Sequence, residues 1–108
     1  MSQYILIQSK SAWASGGVAD FYAMAHQLAA AGHEVTLFLV QNGVLSARAG
    51  ARDLHLSEIA GPRLRVLADD FSLRERAIDA ERLAPGIAAA AIGVVVDLLA
   101  AGARSIWN

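Results

Sequence analysis

The chain has 108 residues, enough for one domain with one core, and carries 9 Lys and Arg against 10 Asp and Glu for a net charge of −1. That balance leaves no electrostatic footprint for DNA, RNA or an anionic membrane, so no nucleic-acid partner is expected. The absence of cysteine excludes a disulfide framework, a thiolate zinc site and a cysteine nucleophile.

The first forty residues read as one βαβ unit. Tyr4-Ile5-Leu6-Ile7 is a short apolar strand, and a polar loop from Ser9 to Gly17 follows it. Val18, Phe21, Tyr22, Ala25, Leu28 and Ala29 then recur at three- and four-residue steps, as on the buried face of a helix. Gly32 stands just past them, where a left-handed C-terminal residue is easiest for glycine. The β-branched and aromatic run Val35 to Val40 is the second strand, and a strand, crossover helix and strand make a parallel pair. Asn42-Gly43 marks a turn, and Val44 to Ala49 starts a second helix that ends near Gly50. The stretch from Ala51 to Gly61 has no clear period. After Pro62, Leu64 to Ala68 is a third strand. Ser72 to Ile78 is a short charged helix, with Ser72 as its N-cap and Glu75 as capping-box partner. Ile87 to Ala89 is a very short strand, a long apolar helix ends at Gly102, and Ala103 to Trp107 is a closing strand. The expectation is a three-layer α/β/α sandwich with four or five mostly parallel strands, formed by residues 1–108 as a single domain.

Hydrophobic residues make up 56% of the chain, above the roughly 45–50% of an average globular composition. Between Ala88 and Ala101 the single charged residue is Asp97, so a helix there is apolar or small on nearly every face. A monomer of this size leaves one of those faces wet, which points to subunit association, with Val95, Leu98 and Trp107 as interface candidates. An alanine-rich outer face that is simply tolerated is the alternative. The apolar stretch from Ile87 to Ala103 contains Asp97 and is short for a membrane span of about 20 residues. Met1-Ser2-Gln3 lacks the positive region of a signal peptide, so no membrane association is expected and the cytoplasm is the expected compartment.

Chemistry-bearing residues gather at two predicted strand ends. The loop Ser9 to Gly17, with Lys10, Ser15, Gly16 and Gly17, can offer backbone N–H groups and a helix N-terminus to an anion, and Trp13 a flat wall. Ser15 as an ordinary helix cap is the alternative, and neither a dinucleotide fingerprint nor a P-loop is present. After the third strand, Asp69 and Asp70 can bind a cation or polar substrate, or stand as a solvated turn that favours the following helix N-terminus. Arg74 and Arg76 can hold an anion, or line an exposed charged helix. Ser72 reads as a helix cap before a substrate contact or a nucleophile, because no nucleophile-elbow pattern surrounds it. His26, His33 and His55 are scattered, and Asp53, His55 and Glu58 match none of the usual zinc spacings. No catalytic residue, metal or cofactor is assigned.

The order of these pieces resembles a known family. The N-terminal strand with its polar loop, the run Ala30-Ala31-Gly32-His33-Glu34-Val35-Thr36-Leu37-Phe38, the Asn42-Gly43-Val44 turn and the final apolar helix with its strand together look like the DsrE/DsrF-like family. That family includes DsrE, DsrF and DsrH, TusB, TusC and TusD, and the YchN-type proteins. The resemblance covers nearly the whole chain. It implies a small cytoplasmic protein of sulfur relay or sulfur oxidation, a homo-oligomer (trimer or hexamer) or a hetero-oligomer with sulfur-relay proteins. In members with the active cysteine, that residue follows strand three, a few residues before an Arg-Gly pair, and carries sulfur as a persulfide. Here Arg76 falls on the Arg, Ala77 replaces the Gly, and Ser72 falls where the cysteine is expected. A serine hydroxyl lacks the low pKa and soft sulfur that persulfide exchange needs, so this chain cannot be a persulfide sulfurtransferase. The role implied is a non-catalytic subunit; the alternative is a small-molecule-binding or enzymatic module built on the strand-end loops.

Overall fold

The structure, a computed structural model, describes residues 2–11, 17–51 and 55–108, with His55 described by its backbone alone. Five strands form one sheet in the order β4-β3-β2-β1-β5, and every neighbouring pair is parallel. They are β1 (Gln3–Gln8), β2 (Glu34–Leu39), β3 (Leu64–Asp69), β4 (Ile87–Ala90) and β5 (Arg104–Trp107). In a parallel sheet the central strands are covered on both faces and lose polar alternation. So it is here: Ile5, Leu6 and Ile7 are buried in succession, as are Val35 through Leu39. By contrast β3 alternates, with Leu64 and Val66 buried while Arg65 is exposed and Leu67 half-buried.

The connections from β1 through β4 run in one direction along the sheet. Helix α1 (Gly17–Ala30), a 3₁₀ segment (Gln41–Ala47), α2 (His55–Ile59) and α3 (Asp70–Glu75) lie in these links. They bury Val18, Phe21, Val44, Leu56 and Leu73 with Leu6, Leu37, Leu39 and Val66 in the larger core cluster. The last link returns past three strands to place β5 beside β1, and its helix α4 (Gly93–Ala100) packs on the other face. There Val95 and Ala103 join Ile5, Ile7 and Phe38 in a second cluster, with Leu98 packed against it. The layers expected from the sequence are present. Ala103 N donates to Leu98 O and Gly102 N to Leu99 O, the same closing pair that His33 and Gly32 make at the end of α1. Gly32 has φ +98°, as its place after α1 predicts.

Several element boundaries differ from the reading above. The very short strand expected at Ile87 to Ala89 is present as β4, one residue longer, and the final helix that follows it has eight residues and is shorter than expected. Pairing with β3 captures Ile87–Ala90, because an extended segment whose N–H groups find a ladder outcompetes alanine's helix propensity. The second helix begins earlier than Val44 and is 3₁₀. A short helix, α2, occupies part of the stretch read as irregular. Helix α3 starts at Asp70, so its cap is Asp69, three residues before the expected Ser72.

Coverage of the two sheet faces is unequal. Five strands at about 4.8 Å spacing are roughly 19 Å across, and one helix covers about 10 Å of that. On the α4 side, Leu67 is therefore half-buried and Ala88 exposed. Ile92, Val96 and Leu99 follow a four- and three-residue step along the outward side of α4 and are all exposed.

Candidate functional site

Because every strand is parallel, the ends of β1, β2 and β3 meet along one edge, and most of the sequence-predicted polar residues gather there. Asp69 closes β3 and is buried at 7% exposure. Its carboxylate accepts from Ser72 N at 3.1 Å, which caps α3, and from Ser72 Oγ at 2.7 Å. Ser72 Oγ in turn accepts from Gln41 N at 2.9 Å, tying α3 to the start of the 3₁₀ segment. Gln41 holds φ +52°, a conformation uncommon outside glycine.

This arrangement corrects two expectations. Ser72 is not the N-cap of α3 but its third residue, because the carboxylate before the helix reaches its N–H first. Asp69 is not a solvated turn residue; it is buried with its oxygen held by two donors. Ser72, at 3% exposure, donates its proton to that carboxylate and has no histidine partner among the described residues. Such a hydroxyl is a structural bridge rather than an activated nucleophile.

The two arginines separate. Arg76 donates from Nε and Nη2 to Asn42 Oδ1 at 3.2 and 3.1 Å, and from Nη1 to Ser72 O at 3.2 Å. It ties the C-terminal end of α3 to the 3₁₀ segment and faces Glu75 at 3.6 Å. Arg74 pairs with Asp70 at 3.8 Å one turn away, an exposed pair of small energetic weight.

Lys10 has an exposed side chain, and its backbone N donates to Gln8 Oε1 at 3.0 Å. Gly17 opens α1. Ser15 and Gly16, like Trp13 and Asp53, lie outside the described residues. His26 is exposed on α1, whereas His33 sits at the opposite edge of the sheet, where its Nδ1 accepts from Ser2 N and its ring meets Tyr4 edge-on. Among the described residues no group of three or more His, Cys, Asp or Glu could hold a metal ion, and no helix is long and apolar enough to cross a membrane.

The interface candidates also separate. Val95 is buried against the sheet and Leu98 is packed on the same cluster, so both serve the fold of this chain. Trp107 is 68% exposed. In register with Ile7, it lies on the α4 side of the sheet with the outward Val96 and Leu99. Gln8, Gln41 and Asn108 are not among the residues expected from the sequence, and Asn42 is expected there only as part of a turn. The available signal was weak: a glutamine closing an apolar strand, and an Asn-Gly pair after the next one.

No family model and no curated protein matches the sequence. Solved structures do match in shape. MTH1491 of Methanobacterium thermoautotrophicum, a protein of unknown function, superposes with a TM-score of 0.88 at 18% identity, over 100% of both chains. The YchN protein of E. coli superposes with a TM-score of 0.83 at 16% identity, over 98% of this chain and 99% of that one. At such identities the likeness is one of fold, and the chain has the α/β fold of YchN and MTH1491.

Proposed function

We propose that this protein is a cysteine-less DsrE-like subunit that acts by assembly, a non-catalytic member of a sulfur-relay or related cytoplasmic system. The observation that carries the reading is the incomplete cover of the sheet on the α4 side. Ile92, Val96, Leu99 and Trp107 are 55%, 61%, 45% and 68% exposed on that side, next to the open Leu67 and Ala88. Scattered apolar residues are ordinary on a surface, but a group on one face marks an association site.

A second copy of this chain fits that face. The net charge of −1 opposes association very little. The face also carries charges of both signs, exposed Asp97 on α4 and exposed Arg65 on β3, so two copies can pair them reciprocally across a symmetric contact. At the end of β3 the chemistry agrees with a non-catalytic role. The hydroxyl that stands where the resemblance expects a sulfur carrier is buried and committed to Asp69 and Gln41.

Native mass spectrometry tests the proposal. The expected spectrum contains multiples of 11.4 kDa, and Val96→Asp shifts it to the single subunit while leaving the circular dichroism spectrum unchanged. A wild-type protein that stays a single subunit at high micromolar concentration overturns the assembly reading.

A further inference from the structure

The end of β1 contains a feature that neither the assembly face nor the Ser72 bridge uses. Gln8 has 0% exposure, and its Nε2 is buried with no acceptor among the described residues. The orientation of this amide is set: Oε1 accepts from Lys10 N, so the NH₂ group points away from that bond. Asn108, immediately after β5, carries a second buried NH₂ group, Nδ2, also without an acceptor among the described residues.

The two amides are neighbours. β1 and β5 pair with Ile7 opposite Trp107, and Asn108 N donates to Ile7 O while Ser9 N donates to Asn108 O, so the ladder continues one residue past β5. Gln8 and Asn108 therefore stand opposite each other, and strand alternation puts both side chains on the face that carries Leu6 and Ile106. Helix α1 lies over that face; Val18, in its first turn, is buried in the same cluster as Leu6 and Leu39. The third boundary is the 3₁₀ segment, pressed so closely on β1 that a Cβ at Gly43 would stand 2.3 Å from Gln8 O.

Buried amide donors are nearly always paired, and two neighbouring NH₂ groups at the C-terminal edge of a parallel sheet without an acceptor among the described residues are placed to receive a ligand's acceptor. The positive end of the α1 dipole biases that acceptor toward negative charge. We infer that Gln8 Nε2 and Asn108 Nδ2 form the donor pair of a binding site for a small oxyanion, the carboxylate or phosphate group of a ligand, at the C-terminal ends of β1 and β5. The inference is independent of the assembly reading, since neither amide belongs to the α4 side of the sheet.

The test follows the side-chain NH₂ resonances of Gln8 and Asn108 in ¹⁵N-labelled protein while inorganic phosphate, and separately acetate, is added at constant ionic strength. The expected result is a saturable shift of both pairs with one midpoint. The tighter of the two titrations assigns the group as phosphate or carboxylate. Gln8→Glu exchanges the donor for a like charge and Asn108→Ala removes the second donor. Each is expected to weaken binding by about tenfold or more, the loss of one hydrogen bond to a charged group. Backbone amide dispersion identical to wild type verifies that each variant is folded. Resonances that ignore both oxyanions, that move equally with sodium chloride, or that keep an unchanging contact to a buried water overturn the inference.

Discussion

Replacing Ser72 by alanine separates a structural hydroxyl from a functional one. The substitution removes the 2.7 Å bond to the buried Asp69 carboxylate and the acceptor of Gln41 N, while Ser72 N keeps its 3.1 Å bond to Asp69. A hydrogen bond to a charged group contributes about 1.5–3 kcal/mol, and a partly buried N–H left without its acceptor costs about 1 kcal/mol more. The expected loss is therefore about 3 kcal/mol, or a fall in Tm of roughly 12 °C for a domain of this size. Helix α3 should persist, because its cap is the carboxylate and not the hydroxyl. Ser72→Cys keeps the shape with a weaker donor and should lose about half as much. Urea unfolding followed by circular dichroism reads both variants, with an unchanged m-value verifying that the denatured state is comparable. A loss below about 0.5 kcal/mol for Ser72→Ala, the range of inert surface changes, would refute the claim that this hydroxyl is committed to the fold.

Two further substitutions probe the backbone around the same edge. Gly43→Ala places a Cβ 2.3 Å from the backbone oxygen of Gln8, a contact that side-chain movement cannot relieve. It should cost more than about 2 kcal/mol in urea unfolding, as overpacking against main chain does, and a neutral result would mean that the 3₁₀ segment does not lie against β1 as described. Ala77 holds φ +54° at the end of α3, where Ala77 N donates to Arg74 O and Ile78 N to Leu73 O, the closing pair that Gly32 and Gly102 occupy after α1 and α4. Ala77→Gly should raise stability by about 0.5–1 kcal/mol, visible as a Tm increase of a few degrees; a decrease would exclude the left-handed conformation there.

The candidate site was legible in part. Asp69, Ser72 and Arg76 were singled out from the sequence, and the structure brings them together at one sheet edge, although their roles differ from the expected ones. A cap position depends on which of several neighbouring oxygens reaches an N–H first, and in Asp69-Asp70-Phe71-Ser72 two residue types compete for it. Gln8 and Asn108 lie 100 positions apart. Nothing local to either residue distinguishes it from an ordinary strand end, and only the pairing of β1 with β5 makes them neighbours. The interface stripe followed a similar course. An apolar helix was evident, but periodicity does not say which of two apolar faces meets the sheet, and packing assigned Val95 and Leu98 inward and Val96 and Leu99 outward.

The class of fold and the limits on its chemistry are legible in the amino-acid order. Continuous apolar runs at Tyr4–Ile7 and Val35–Val40 require strands covered on both faces, the helical period between them requires a parallel crossover, and a chain without cysteine has no thiol to carry sulfur. Tertiary structure alone decided the strand order β4-β3-β2-β1-β5, the length of α4 and the open face beside it. It also decided the meeting of Gln8 with Asn108 and of Ser72 with Gln41. The reason is physical. Local sequence encodes backbone preference and the side of an element that avoids water, whereas register and neighbour choice follow from how all the elements share one sheet, which no single segment encodes.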